Sequence, residues 1–124
     1  MLPLRIIIAG GVTGGHLFPA IAIAEEFLNT NHKSRILFVS SGSSFETRVL
    51  SEKGFKLKVI RAYGIKGLGI WKKLKSLLNL LAGIVESFVV IKNFSPDLII
   101  GVGSYSSAPV IIAARMLGIK IVLH

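Results

Sequence analysis

Short aliphatic runs alternate with longer helical patterns along the chain. Leu4–Ala9 is apolar, rich in β-branched residues and followed by glycines, which predicts a buried parallel strand. From about 15 to 29, Leu17, Ala20, Ile21, Ala24, Phe27 and Leu28 recur at helical spacing. Arg35–Ser40 reads as a second strand, and residues 44–53 as a short helix closed by Gly54. Lys56–Ala62 alternates Leu57 and Val59 with Lys56 and Lys58, the pattern of an outer, half-exposed strand. A helix is expected from about 70 to 93, stopping before Ser95-Pro96. Asp97–Val102 reads as a fourth strand, 107–117 as a helix ending at Gly118, and Lys120–His124 as a fifth strand.

Strictly alternating strands and helices predict an α/β fold: a doubly wound, Rossmann-like parallel sheet with helices on both faces. Right-handed crossovers favour the strand order 3-2-1-4-5. The last strand has no closing helix, which would leave a bare sheet edge. That leads us to expect a piece of a longer protein.

Composition narrows the class. The 124 residues fit one domain, and 52% hydrophobic content excludes a disordered chain. With no cysteine, a disulfide scaffold and any Cys-ligated metal site are excluded. The N-terminal apolar run is too short for a signal core and contains Arg5. A membrane span needs about 18 or more consecutive apolar residues. The best stretch, 76–91, is interrupted by Asn79 and Glu86, so no spanning helix is expected.

Two loops carry candidate chemistry. Gly10-Gly11-Val12-Thr13-Gly14-Gly15-His16 joins the first strand to its helix. Glycines let the backbone approach a ligand, and amides at a helix N-terminus favour an anion such as phosphate. The dinucleotide fingerprint is a near miss, with Ala9 at its first glycine. Ser40-Ser41-Gly42 stands where the ribose-binding acid belongs, which disfavours NAD. No Gly-Lys-Ser/Thr follows, which excludes a P-loop. His16, on the first helical turn, is either a general base at a pocket mouth or a capping or packing histidine. Gly101-Val102-Gly103-Ser104-Tyr105-Ser106-Ser107 follows the fourth strand. In the expected order, strands 1 and 4 flank the topological switch point, so both loops meet over one crevice. A diphosphate suits it. Ser104, Ser106 and Ser107 are candidate hydroxyl donors, with Ser106 or Ser107 also able to cap the helix.

Charge adds a partner. The formal net charge is +9, from 15 basic and 6 acidic residues. Eight of the bases (Lys53, Lys56, Lys58, Arg61, Lys66, Lys72, Lys73 and Lys75) crowd one segment, with no acid from Gly54 to Val85. Ile65, Leu68, Ile70, Trp71 and Leu74 thread through it. Ile70, Leu74, Leu77, Leu81, Ile84, Phe88 and Ile91 form a stripe expected to face the sheet. Trp71, Leu78, Val85 and Val89 widen it beyond one contact. A basic helix with surplus apolar surface fits an anionic membrane surface; the alternative is a solvated basic face over a core helix. Nucleic acid is disfavoured, since only Tyr63 and Trp71 lie near and no recognition motif is present.

The run Ile8–Ala20, the loop Gly101–Pro109 and the ending Ile121-Val122-Leu123-His124 together resemble the MurG family of N-acetylglucosaminyltransferases. The resemblance covers the whole chain. It implies that residues 1–124 are the N-terminal, acceptor-binding and membrane-associating domain of a GT-B glycosyltransferase. Such enzymes move N-acetylglucosamine from UDP-N-acetylglucosamine to lipid I, with inversion, in peptidoglycan synthesis. They work peripherally at the cytoplasmic face of the plasma membrane. The resemblance implies that Gly11, Thr13, Gly14, Gly15, Gly103, Ser104 and Tyr105 cradle the acceptor diphosphate. It makes His16 the candidate base. His124, at the carboxyl end of the fifth strand, also points to the crevice, and with scattered acids and no His/Asp cluster no cofactor or metal is expected. Ile65, Lys66, Leu68, Ile70, Trp71, Lys72, Lys73, Leu74 and Lys75 would be the membrane patch. The family pattern continues past His124 with Glu-Gln-Asn, so the UDP-N-acetylglucosamine site is expected in a C-terminal domain absent here. The alternative is a membrane-recruiting subunit of a split glycosyltransferase, which a native stop after His124 would favour.

Overall fold

The computed structural model describes residues 3–11, 14–61, 69–103 and 105–124, with Tyr105 described by its backbone. Five strands form one parallel sheet: β1 (Arg5–Ala9), β2 (Arg35–Ser40), β3 (Lys56–Val59), β4 (Leu98–Gly101) and β5 (Ile121–Leu123). Their order is β3-β2-β1-β4-β5, as the alternation predicts. The helices are α1 (Gly14–Thr30), α2 (Ser44–Glu52), α3 (Ile70–Phe94) and α4 (Ala108–Met116), with a 3-10 turn at Tyr105–Ser107.

Alternating side chains of β1 explain the layering. Ile6 and Ile8 point to one face, where they pack with Leu17, Ala20 and Ala24 of α1 and Leu50 of α2. Ile7 and Ala9 point to the other, against Ile91 of α3 and Val110, Ala113 and Ala114 of α4. These four of the five β1 side chains are fully buried. At the amino-terminal end, Arg5 is fixed three ways. Its amide donates to Asp97 Oδ2 at 2.9 Å, its Nε to the Phe94 carbonyl at 2.6 Å, and its guanidinium lies 4.9 Å from the Phe94 ring centre.

Several boundaries differ from expectation. β3 ends at Val59 rather than Ala62, because its partner β2 ends at Ser40; the last ladder bond is Ile60 N–H to the Ser40 carbonyl, 2.9 Å. β5 is Ile121–Leu123, shorter by one residue at each end. The last helix begins in a 3-10 turn, and Ser107 sits at its N-cap without a side-chain cap bond. Ser107 is helical there (ψ −19°), whereas a capping side chain needs extended backbone.

Helix α3 brings the largest correction. Gly83, Ser87 and Ile91 form its buried face, with Ile84, Phe88, Val90 and Phe94 partly buried around the core. Ile70, Leu74, Leu77 and Leu81, expected on the sheet side, are exposed. Two causes combine. Gly83 packs so tightly that an added methyl would lie 1.9 Å from the Arg61 carbonyl oxygen, which sets the helix's rotation. Its 25 residues also span about 37 Å, longer than strands of about 10–20 Å, so its first turns overhang the sheet. Glu86, read as an interruption, accepts the Arg61 amide at 3.2 Å and ties α3 to the end of the β3 segment. By length and composition the helix could cross a membrane, with mean hydropathy 1.8 over 18 residues, although no span was expected. Its many Leu, Ile and Val residues outweigh Asn79 and Glu86 in that average.

Candidate functional site

The two glycine loops meet at the carboxyl end of the sheet. β1 runs into Gly10, whose amide donates to the Val39 carbonyl at 3.0 Å, while Val102 donates to the Ala9 carbonyl at 3.0 Å. Neighbouring strands therefore pin both loops where they leave the sheet. Gly10 (φ +101°) adopts a backbone that only glycine takes at low cost. A methyl on it would lie 2.5 Å from the Gly103 carbonyl oxygen. Gly103 (φ +84°) in turn faces His16: a methyl there would lie 3.0 Å from the imidazole Cε1 and 3.2 Å from Nδ1. Gly10, Gly103 and His16 thus form one contiguous group at the β1–β4 switch point.

His16 is exposed on the first turn of α1, with Gly14 and Gly15 before it. An exposed imidazole beside loop backbone and a helix N-terminus can take a proton from a bound hydroxyl group while amides hold an anion. His124, just past β5, donates its amide to the Gly101 carbonyl at 2.8 Å and has an exposed side chain at the same end of the sheet. Phe18 of α1, half exposed, meets Phe45 of α2 edge to face with ring centres 6.1 Å apart, beside Gly14. Thr13 and Ser104 lie outside the described residues, as does the side chain of Tyr105. Ser106 and Ser107 are buried rather than open to the crevice.

Glu46 was not singled out from sequence. It is fully buried on the first turn of α2, beneath the first loop. Burial raises its carboxyl pKa, against the lowering effect of the Ser40 hydroxyl and the Gly42 and Ser43 backbone. The signal available was Ser43-x-x-Glu46, a capping box: Ser43 Oγ accepts the Glu46 amide at 3.2 Å.

The membrane-patch residues lie elsewhere. Ile70, Trp71, Leu74, Lys72, Lys73 and Lys75 are exposed on the overhanging turns of α3, Trp71 by 80% and Ile70 by 79%. Ile65, Lys66 and Leu68 lie outside the described residues. The exposed stripe continues through Leu77, Leu78, Leu81, Val85 and Val89, all within about 120° of arc at about 100° per residue. A groove of about 770 Å³, with Arg35, Lys53, Lys56 and Lys58 on its wall and Val89 at the end of the stripe, includes none of the expected site residues.

Residues 6–124 match the family model described as the glycosyltransferase family 28 N-terminal domain. The chain belongs to this family. Among relatives of the family 28 domain is the UDP-N-acetylglucosamine–N-acetylmuramyl-(pentapeptide) pyrophosphoryl-undecaprenol N-acetylglucosamine transferase of Citrifermentans bemidjiense. It is 49% identical over 121 residues, which are 98% of this chain and 34% of that protein. The crystal structure of Acinetobacter baumannii MurG superposes with a TM-score of 0.83 at 27% identity, covering 98% of this chain and 35% of that one. The glycotransferase of kitacinnamycin, at 14% identity and a TM-score of 0.69, covers 99% of this chain and 30% of its own; it shares the fold alone. The family 28 domain spans about a third of the length of the curated relatives it matches.

Proposed function

We propose that this domain is the acceptor half of an inverting glycosyltransferase. The whole protein would move N-acetylglucosamine from UDP-N-acetylglucosamine to lipid I, forming lipid II. The convergence of both glycine loops and His16 carries the reading, and the names of the close relatives support it. The amides of Gly11, Gly14, Gly15 and Gly103, with Thr13, Ser104 and Tyr105, hold the diphosphate of the lipid-linked acceptor. His16 accepts the proton of the muramyl 4-hydroxyl. The freed oxygen attacks the anomeric carbon of N-acetylglucosamine. The bond to UDP breaks, UDP leaves with the electron pair, and the anomeric centre is inverted. His124 borders the crevice. UDP-N-acetylglucosamine binds on a C-terminal domain outside this chain, completing a GT-B pair. The test is label transfer from UDP-N-acetylglucosamine to a lipid I analogue, with this chain and a separately supplied donor half. Transfer only when both are present supports the reading; transfer by the donor half alone overturns it.

The α3 stripe supports peripheral attachment at the cytoplasmic face of the plasma membrane, where lipid I is presented. Trp71, Ile70, Leu74, Leu77 and Leu78 insert shallowly, with Ile65 and Leu68 completing the patch. Lys66, Lys72, Lys73 and Lys75 face anionic headgroups, each contributing about 1 kcal/mol near such a surface. The chain is therefore expected to co-sediment with vesicles containing anionic lipid and to be released by salt. Trp71→Ala combined with Lys72→Glu, Lys73→Glu and Lys75→Glu should abolish that binding. Unchanged sedimentation of the quadruple variant would remove the patch.

A further inference from the structure

Glu46 has a feature that helix capping does not explain. Its Oε1 accepts a hydrogen bond from the Ser40 hydroxyl, and the same hydroxyl oxygen accepts the Gly42 amide at 3.2 Å. Its Oε2 is buried and has no hydrogen-bond partner among the described residues. That oxygen faces the first glycine loop: a methyl on Gly11 would lie 3.6 Å from it. A capping box works at a solvent-exposed helix end and does not require burying the carboxyl. Leaving a buried oxygen unpaired is costly, so its retention calls for a role.

We propose that Glu46 is a positioning residue for the first glycine loop, its buried carboxyl packing beneath Gly11 so that the loop keeps its anion-binding shape. This rests on the reading of that loop as the acceptor-diphosphate site. A neutral carboxyl braces the loop without adding charge beneath a diphosphate, whereas an ionised one repels it. Burial favours the neutral form. Acceptor affinity should therefore fall as pH rises through the raised pKa of Glu46. On the packed elements, His16 is exposed on the first turn of α1, and Lys56 and Lys58 of β3 are exposed. Arg48 and Glu52 on α2 itself are exposed, Glu25 and Glu26 lie at the far end of α1, and Arg5 and Arg35 stand at the opposite ends of β1 and β2.

The experiment uses the whole transferase that carries this domain, with Glu46→Gln and Glu46→Ala. Glu46→Ala is expected to raise KM for a lipid I analogue about tenfold or more, with KM for UDP-N-acetylglucosamine unchanged. Glu46→Gln, neutral and of the same shape, should keep the acceptor KM within about threefold of wild type at low pH and abolish its rise with pH. An unchanged acceptor KM in a folded Glu46→Ala, or equal rises in both KM values, would overturn the proposal. If Glu46→Ala does not fold, Glu46→Gln decides: a wild-type pH dependence of acceptor KM overturns it. If the wild-type protein transfers no sugar, the functional reading fails on its own. Glu46 is then judged by inorganic pyrophosphate binding to the chain, which Glu46→Ala or Glu46→Gln at high pH must alter for the proposal to stand.

Discussion

His16→Ala is expected to lower turnover of the whole transferase by about 10²–10⁴-fold while changing acceptor affinity only several-fold. His16 stands on the first turn of α1, exposed, and against Gly103 of the second loop. An acceptor diphosphate held by both loops would bring its sugar hydroxyl past that imidazole. On the proposed reading backbone amides would do most of the holding, so losing the imidazole should leave binding largely intact. A group used only as the sugar–oxygen bond forms lowers kcat and kcat/KM together. Single-turnover kinetics, with a separate titration of a lipid I analogue, reads the two effects apart. Near-normal turnover, or a loss confined to acceptor affinity, would return His16 to the packing role that its sequence also allows.

Gly10→Ala is expected to be the most damaging single methyl near the site. Two costs add. The residue sits at φ +101°, where an L side chain costs about 1–2 kcal/mol. The new methyl would also lie 2.5 Å from the Gly103 carbonyl oxygen, and relieving such overpacking typically costs about 1–3 kcal/mol. Domains of this size are stable by only about 5–15 kcal/mol, so the loss is a large share. Gly54→Ala is the control, since Gly54 also has positive φ (+80°) but no atom within 4 Å of the new methyl. Urea denaturation should show Gly10→Ala losing clearly more than Gly54→Ala. Equal losses would mean that the two loops can separate freely, and that their contact does not define the crevice.

Much of this architecture is legible in the residues themselves. Ile6-Ile7-Ile8-Ala9 is apolar on both sides, which marks a central strand, and the alternation of Lys56 and Lys58 with Leu57 marks an edge. With right-handed crossovers these leave little choice of strand order. The meeting of the two glycine loops follows from that order. The rotation of α3 is not legible in the same way. Almost every face of Ile70–Phe94 carries a large aliphatic residue, so periodicity offers two stripes of similar merit. Close approach of Gly83 to the Arg61 carbonyl, a contact between distant parts of the chain, selects the one that is buried. Glu46 is hidden for a related reason. Ser-x-x-Glu announces a helix start, but sequence does not reveal that Gly11 and Ser40 lie against the carboxyl.

The stripe and the crevice serve one purpose in this account. The overhanging turns of α3 would seat the domain on the membrane while the loops take the diphosphate of a lipid embedded there. Both features lie on this domain, so acceptor binding should belong to it. The most direct measurement is a paired titration of the 124-residue chain. One arm uses a soluble lipid I analogue and the other UDP-N-acetylglucosamine, each followed by the chemical shifts of the Gly10–His16 and Gly101–Tyr105 amides. The account predicts saturable shifts in both loops with the lipid I analogue and none with the sugar nucleotide. Shifts with UDP-N-acetylglucosamine and none with the acceptor analogue would contradict it.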